Sequence, residues 1–152
     1  MITSYSLALS SVDGTAIDAF EAEFGVRLPV DYREFLLKQN GGRPLECELE
    51  GPIPAVVNDL YGIGIEPGKV SDLASIARIF TRKLPTGYIP IGDTAGGDKF
   101  LLAMSGATPN GVFYLEHENF YDADTQSLDD YEGITKIASS FSEFLSLLEP
   151  AS

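Results

Sequence analysis

The sequence predicts an α+β domain: an antiparallel-rich mixed sheet with N-terminal helices packed on it, one helix between strands and a C-terminal helix. Three observations carry this reading. Two amphipathic helical patterns stand near the start, short apolar segments bounded by Gly, Pro, Asn and Asp fill the second half, and a capped helical pattern closes the chain. Connections as short as those of the second half favour antiparallel pairing, and helices packed on such a sheet give the α+β class. At 152 residues the chain is expected to form a single domain, 1–152. A chain of this size buries roughly 68–70% of its unfolded surface, enough for a core without staples.

In chain order, Tyr5, Leu7 and Leu9 alternate with serine and alanine, an edge-strand pattern. Asp13 to Phe24 reads as a helix with Ala16, Ile17, Phe20 and Phe24 on one face and Gly25 closing it. Leu28 to Gly42 then describes a second helix. Pro29 suits its first position, where the missing N–H has no partner to lose, and Asp31 favours the positive end of the helix dipole. Leu28, Tyr32, Phe35 and Leu36 recur at helical spacing, and Asn40-Gly41-Gly42 supplies a glycine stop. The tight connection between the two helices predicts a hairpin or an angled corner.

From Arg43 to Gly68 the chain turns to prolines, glycines and short apolar runs. Cys47 and Leu49 alternate with glutamates, while Val56-Val57 and Leu60 to Ile65 read as further short strands. Ser71 is expected to cap a helix carrying Leu73, Ile76, Ala77 and Phe80. Its basic residues Arg78, Arg82 and Lys83 suit a helix C-terminus, and Pro85-Thr-Gly87 stops it. Strands follow at Tyr88–Gly92, Lys99–Met104 and Val112–Glu116. An acidic loop occupies Asn119–Gly133, and Ile134–Ala138 reads as a last strand. Ser140-Phe-Ser-Glu143 is a capping box opening a helix that turns Phe141, Phe144, Leu145 and Leu148 to the core.

Ten Lys+Arg stand against 23 Asp+Glu, a net charge of −13. Such a surface repels a nucleic-acid backbone and an anionic bilayer, and it steers a basic protein partner toward itself. Cys47 is the sole cysteine, which excludes an intrachain disulfide and suits a reducing cytoplasm. Met1 to Val12 lacks the basic start of a signal peptide, and no run approaches the ~18 apolar residues of a membrane span.

The candidate chemistry is sparse. Gly92-Asp-Thr-Ala-Gly-Gly-Asp98 lies between strands and carries two acids, so it reads as a turn rather than a phosphate cradle, which leads into a helix. Asp93 and Asp98, or Asp122, Asp124, Asp129 and Asp130, raise the thought of a hard cation. A calcium-loop register from Asp122 fails, because Ser127 stands at the glycine position and Gly133 at that of the bidentate glutamate. His117 is the sole histidine and has no nucleophile elbow to serve. One His and one Cys cannot build a zinc site, and Cys47 stands between two glutamates, a poor setting for a reactive thiol. Paired carboxylates of the glycosidase kind are not legible from sequence. The expectation is a protein without catalytic residues, cofactor or metal.

Taken together, Phe24-Gly-Val-Arg-Leu-Pro-Val-Asp-Tyr-Arg-Glu-Phe-Leu-Leu-Lys-Gln-Asn-Gly-Gly42 resembles the leading motif of the SUKH superfamily, in particular its Smi/Knr group. Ile89-Pro-Ile-Gly92 with Gly96-Gly-Asp98, Gly111-Val-Phe-Tyr-Leu-Glu-His-Glu118 and Ile137-Ala-Ser-Ser-Phe-Ser-Glu-Phe-Leu145 resemble later segments of that group, in the same order. The resemblance implies a single α+β domain without a shared catalytic set. It implies fungal members that are regulatory interaction proteins, and bacterial members that are immunity proteins binding a cognate toxin, often a nuclease. The matching residues are mainly structural: Leu28, Pro29, Tyr32, Phe35, Asn40, Gly41, Gly42, Pro90, Gly92, Gly97, Asp98, Phe141 and Phe144. The Asn119–Gly133 loop does not align to the pattern.

The functional expectation is a cytoplasmic, non-enzymatic binding domain whose partner is a basic toxin domain, with no nucleic acid and no membrane. Asp93, Asp98, Glu116, Glu118, Asp122, Asp124, Asp129 and Asp130 are the expected acidic contacts, and Tyr121 and Tyr131 the aromatic anchors, since Tyr is enriched among interface hot spots. The alternatives are a regulatory or scaffolding module with an endogenous partner and a small cation-dependent hydrolase.

Overall fold

Asp13 starts the helical layer: its carboxylate accepts the Ala16 N–H at 2.9 Å, as an N-cap does. The computed structural model describes residues 4–7, 9–66, 68–80, 84, 87–104, 110–117 and 134–151. Within them the first half runs β1 (Tyr5–Leu7), α1 (Gly14–Phe24), α2 (Val30–Lys38), β2 (Arg43–Pro44), β3 (Glu46–Leu49), β4 (Ala55–Leu60) and α3 (Leu73–Phe80). The second half runs β5 (Tyr88–Thr94), β6 (Lys99–Ala103), β7 (Val112–Leu115), β8 (Ile134–Ala138), α4 (Phe141–Ser146) and β9 (Leu148–Pro150). The fold is α+β, as the sequence predicts.

The seven-stranded sheet has the order β8-β7-β6-β5-β4-β3-β9, and each neighbouring pair is antiparallel. β1 and β2 form a separate short ladder. One sheet face packs Leu49, Val57, Phe100, Leu102, Val112 and Ile137 against Ile17, Phe20, Tyr32, Leu36, Phe141 and Phe144 of the helices. On the other, Phe80 and Leu84 meet Leu101 and Leu115 in a smaller cluster.

Four local readings are corrected. Pro29 is the N-cap of α2, one place before its first helical residue. β4 takes Val56 to Leu60 as one strand, and the chain leaves the ladder there, so Leu60–Ile65 is not a strand of its own. Asp72, not Ser71, caps α3: it accepts the Ser75 N–H at 3.0 Å and the Ser75 hydroxyl at 2.8 Å. Its other oxygen accepts from Gly64 and Ile65 at 2.9 and 3.2 Å. Burial works to raise the Asp72 pKa, but these bonds outweigh it and hold the carboxyl below its ordinary range. Finally, α4 stops at Ser146, so Leu148 is buried from β9, where it pairs with Leu49, rather than from a helix face.

Asn40-Gly41-Gly42 does more than end a helix. α2 ends at Lys38, and Gln39 is already extended at φ −144°. Gly41 has φ 76°, and a Cβ there would lie 2.4 Å from the Leu60 carbonyl oxygen. A Cβ on Gly62 would lie 2.2 Å from the Asn40 carbonyl oxygen. Backbone meets backbone at this point, and the Gly42 and Leu60 peptides exchange two 2.8 Å hydrogen bonds. Asn40 is buried, donates to the carbonyls of Ile63 at 2.8 Å and Ser10 at 3.3 Å, and accepts the Ile63 N–H at 2.9 Å.

A chain of rings joins the helices to the sheet. Phe141 sits edge-on to Tyr32 at 4.8 Å and to Phe35 at 4.9 Å, and Phe144 reaches Phe100 at 5.3 Å. Asp31 of α2 accepts the Ser142 N–H at 2.9 Å and its hydroxyl at 3.0 Å, so it serves the first turn of α4 as well as its own helix. The Ser140 hydroxyl accepts from Glu143 N–H at 3.0 Å, which is one half of the predicted capping box.

Gly41→Ala is therefore expected to lower the unfolding free energy in urea by more than about 2 kcal/mol, from backbone strain and overlap together. Phe141→Ala removes the ring that α2 and α4 share and is expected to cost roughly 3–5 kcal/mol. The buried Tyr32 hydroxyl has no hydrogen-bond partner among the described residues. Tyr32→Phe is expected to leave stability unchanged or to raise it by up to ~1 kcal/mol in the same titration, because no bond is lost.

Candidate interaction surface

Asp93 and Lys99 flank the turn between β5 and β6 and stand directly opposite one another. The turn is closed by Thr94, whose N–H donates to the Asp98 carbonyl and whose own carbonyl accepts from Gly97, both at 3.0 Å. The motif Gly92–Asp98 is thus a hairpin turn. Asp93 points back into the protein. Its Oδ1 accepts from the Asn58 amide at 3.2 Å and the Asp59 N–H at 3.3 Å. Its Oδ2 accepts the Tyr61 hydroxyl at 2.8 Å and lies 3.8 Å from Lys99 Nζ.

Lys99 lies over the rings of Tyr61 and Phe80, at 5.8 and 5.7 Å. Burial, followed by the Asp93 charge and hydrogen bond, pushes the Tyr61 hydroxyl far above the ordinary phenol range, so it stays a donor. One strand over, Arg43 grips buried Asp59 through Nε at 2.8 Å and Nη2 at 3.3 Å. Two cations and two carboxylates thus compensate one another and tie β2, β4, β5 and β6 together. Each buried charge has its partner, the condition under which such a charge is tolerated.

Asp98 is likewise engaged within the chain. It accepts the Tyr114 hydroxyl and the His117 N–H at 2.9 Å, and its Oδ1 lies 2.7 Å from His117 Nδ1. Burial works to raise its pKa, but the bonds from Tyr114 and His117 prevail and hold the carboxyl below its ordinary value. His117 is thereby fixed at the exit of β7. Glu116 beside it is exposed. Glu118, Tyr121, Asp122, Asp124, Asp129, Asp130 and Tyr131 lie outside the described residues. The strands on either side of that segment are neighbours, with Leu115 paired to Ile134.

The expected contacts therefore divide. Asp93 and Asp98 are structural pegs at one end of the sheet, while Glu116 faces solvent. The sequence reading missed Lys99, Tyr61, Arg43 and Asp59. Lys99 left a signal, since opposite charges on either side of a five-residue turn fall across a hairpin from each other. Tyr61 left none, because only the departure of the chain from β4 brings it to Asp93. No group of three or more His, Cys, Asp or Glu among the described residues is placed to hold a metal ion.

Pairing also shapes the exterior. Arg33 contacts Asp18 and Glu21, Lys69 contacts Glu66, and Arg78 makes two 2.6 Å bonds to Glu23. Arg78 lies in the last turn of α3, as expected, and also links α3 to α1; Arg82 and Lys83 lie outside the described residues. With Arg43 and Lys99, five described cations are matched to acids. Exposed pairs of this kind add little stability, and each neutralises one acid for one cation, so the excess of acids in the chain is unchanged.

On β3, Glu48 pairs with Val56 of β4 and with Glu149 of β9, so these three share one sheet face. Leu49, Val57 and Leu148 turn to the core on the other. Val56 is 52% exposed, and α3 packs on β5.

The depressed Asp98 pKa has a defined sign. Its stabilisation is complete above the ordinary carboxylate value of 3.8 and is lost as pH falls through the lower folded value. Asp98→Asn is therefore expected to destabilise the protein at neutral pH and to flatten the acid limb of stability against pH. Urea unfolding at stepped pH values measures both, and parallel acid limbs for the two proteins would contradict it.

The family model for the SMI1 / KNR4 family (SUKH-1) matches residues 11–147. No curated protein matches the chain. The match runs from before α1 through the end of α4 and contains the Asn40-Gly41-Gly42 meeting point, the β5–β6 turn and the Asp98 lock. It supports a protein-interaction module. The chain belongs to the SMI1 / KNR4 family (SUKH-1).

Proposed function

We propose that this chain is a cytoplasmic immunity protein that binds a cognate bacterial toxin and neutralises it through an acidic surface, without catalysis. Family membership supports a binding role. The charge arrangement carries the rest: a net charge of −13, with Arg33, Arg43, Lys69, Arg78 and Lys99 matched to the chain's own acids. What remains outward attracts a basic protein over distance. A nuclease carries cations where phosphates bind, and an acidic protein competes for that cleft. No helix of the described residues is long and apolar enough to cross a membrane.

The test is capture followed by rescue. The full chain is tagged in its native cell, co-purifying proteins are identified, and each is expressed alone and together with this chain. The expected result is one basic protein that arrests growth alone and is harmless when co-expressed. A harmless captured partner, or arrest that co-expression does not relieve, would contradict the immunity reading, and the former would favour a regulatory module. Lysine at Asp122, Asp124, Asp129 and Asp130 together is expected to weaken rescue. Full rescue by that variant would remove this segment from the interaction.

A further inference from the structure

We propose that Asn110-Gly111 is a self-modifying site, where the Gly111 nitrogen attacks the Asn110 side-chain amide and water then leaves aspartate or isoaspartate. The dipeptide occurs twice in the chain, as Asn40-Gly41 and Asn110-Gly111, and the fold treats the two oppositely. Asn40 is buried; its amide nitrogen donates to the Ile63 and Ser10 carbonyls, and its amide oxygen accepts the Ile63 N–H. The Gly41 N–H is engaged too, with the Gln39 carbonyl at 2.7 Å. Leaving group and nucleophile are both held there, and water is shut out. Asn110, by contrast, is exposed. Its N–H donates to the Ala103 carbonyl at 2.7 Å, and the Gly111 carbonyl accepts from Ala103 at 2.9 Å, so both ends of the pair are anchored on β6. Between those anchors, the Gly111 N–H and the Asn110 amide have no hydrogen-bond partner among the described residues.

Among the described residues Asn110 is the one non-glycine with a left-handed backbone, at φ 69°, a conformation that asparagine tolerates better than most. The glycine after it offers a nitrogen with no side chain to hinder approach. The reacting atoms belong to neighbouring residues, so the attack is intramolecular. The Gly111 nitrogen gives its proton to water and bonds to Asn110 Cγ. The Cγ–Nδ2 bond breaks, and Nδ2 takes a proton from water and leaves as ammonia. One water then opens the succinimide: addition at Cγ gives aspartate, and addition at the Asn110 main-chain carbonyl gives isoaspartate. Either product ionises and adds one negative charge to the chain. Isoaspartate also adds one atom to the main chain just before β7, between the two bonds to Ala103. Water is the sole co-reactant.

The test incubates the full chain, folded and in urea, warm and at mildly alkaline pH, and follows ammonia release and peptide fragmentation by mass spectrometry. In the folded chain the amide-to-acid change is expected at Asn110, as both aspartate and isoaspartate, while Asn40 stays an amide. In urea both sites are expected to react, because the bonds that hold Asn40 are gone. Gly111→Ala is expected to slow the Asn110 reaction about tenfold or more, since a Cβ crowds the attacking nitrogen. The urea arm reads that variant whether or not it folds. A folded chain that keeps Asn110 as an amide, or that loses the Asn40 amide as fast, would overturn the proposal. So would aspartate without isoaspartate, since direct hydrolysis of the side chain gives aspartate alone. An unaltered rate in the Gly111→Ala chain would do the same. No partner enters any of these readouts, so they stand apart from the immunity reading.

Discussion

The contact between Asn40-Gly41-Gly42 and Leu60-Tyr61-Gly62 is the constraint on which the rest of the fold depends. Neither segment has room for a side chain where the two backbones cross, because a Cβ at Gly41 or Gly62 would fall within 2.4 Å of a carbonyl oxygen of the other. The crossing fixes where the helical layer ends and where β4 releases the chain. Asn40 then holds the loop after β4 through both faces of its amide. Tyr61, turned by that release, reaches Asp93 on β5. From one backbone contact the geometry thus runs to the charged cluster that joins β4, β5 and β6.

The charged groups divide by role. Asp59 accepts the Arg43 guanidinium, Asp93 accepts the Asp59 N–H and lies beside Lys99, and Asp98 holds Tyr114 and His117 where β7 ends. Desolvated carboxylates persist only where such donors replace water. These acids shape the surface by holding the strands that present it. Five described cations pair with acids of the chain itself, and the net charge of −13 sets the sign of its long-range field.

Much of the fold was legible because local patterns and tertiary contacts agree. The α1 face, the Ser140 cap and strands β5 to β8 follow from spacing and turn residues, and each is found where it was expected. What the pattern does not reveal shares a cause: a partner distant in sequence. Asp31 reads as a dipole residue of its own helix because Ser142, its other partner, lies 111 residues away. The glycines after α2 read as a helix stop, although the neighbour that demands them is Leu60. Ser71 and Asp72 are both good cap residues, and the loop at Gly64 and Ile65 adds two bonds to Asp72 beyond those from Ser75. Of the expected contact residues, Asp93 and Asp98 read as turn acids, yet alternation along a strand cannot say that a carboxylate at its end will find a tyrosine.

The central claim is that an acidic exterior recruits a basic protein to this scaffold. The most direct measurement is the association rate constant between the full chain and the protein captured with it, followed across ionic strength by stopped flow. The account predicts a rate that falls steeply as salt rises, from as high as ~10⁸–10⁹ M⁻¹s⁻¹ at low salt. A rate independent of salt would contradict it.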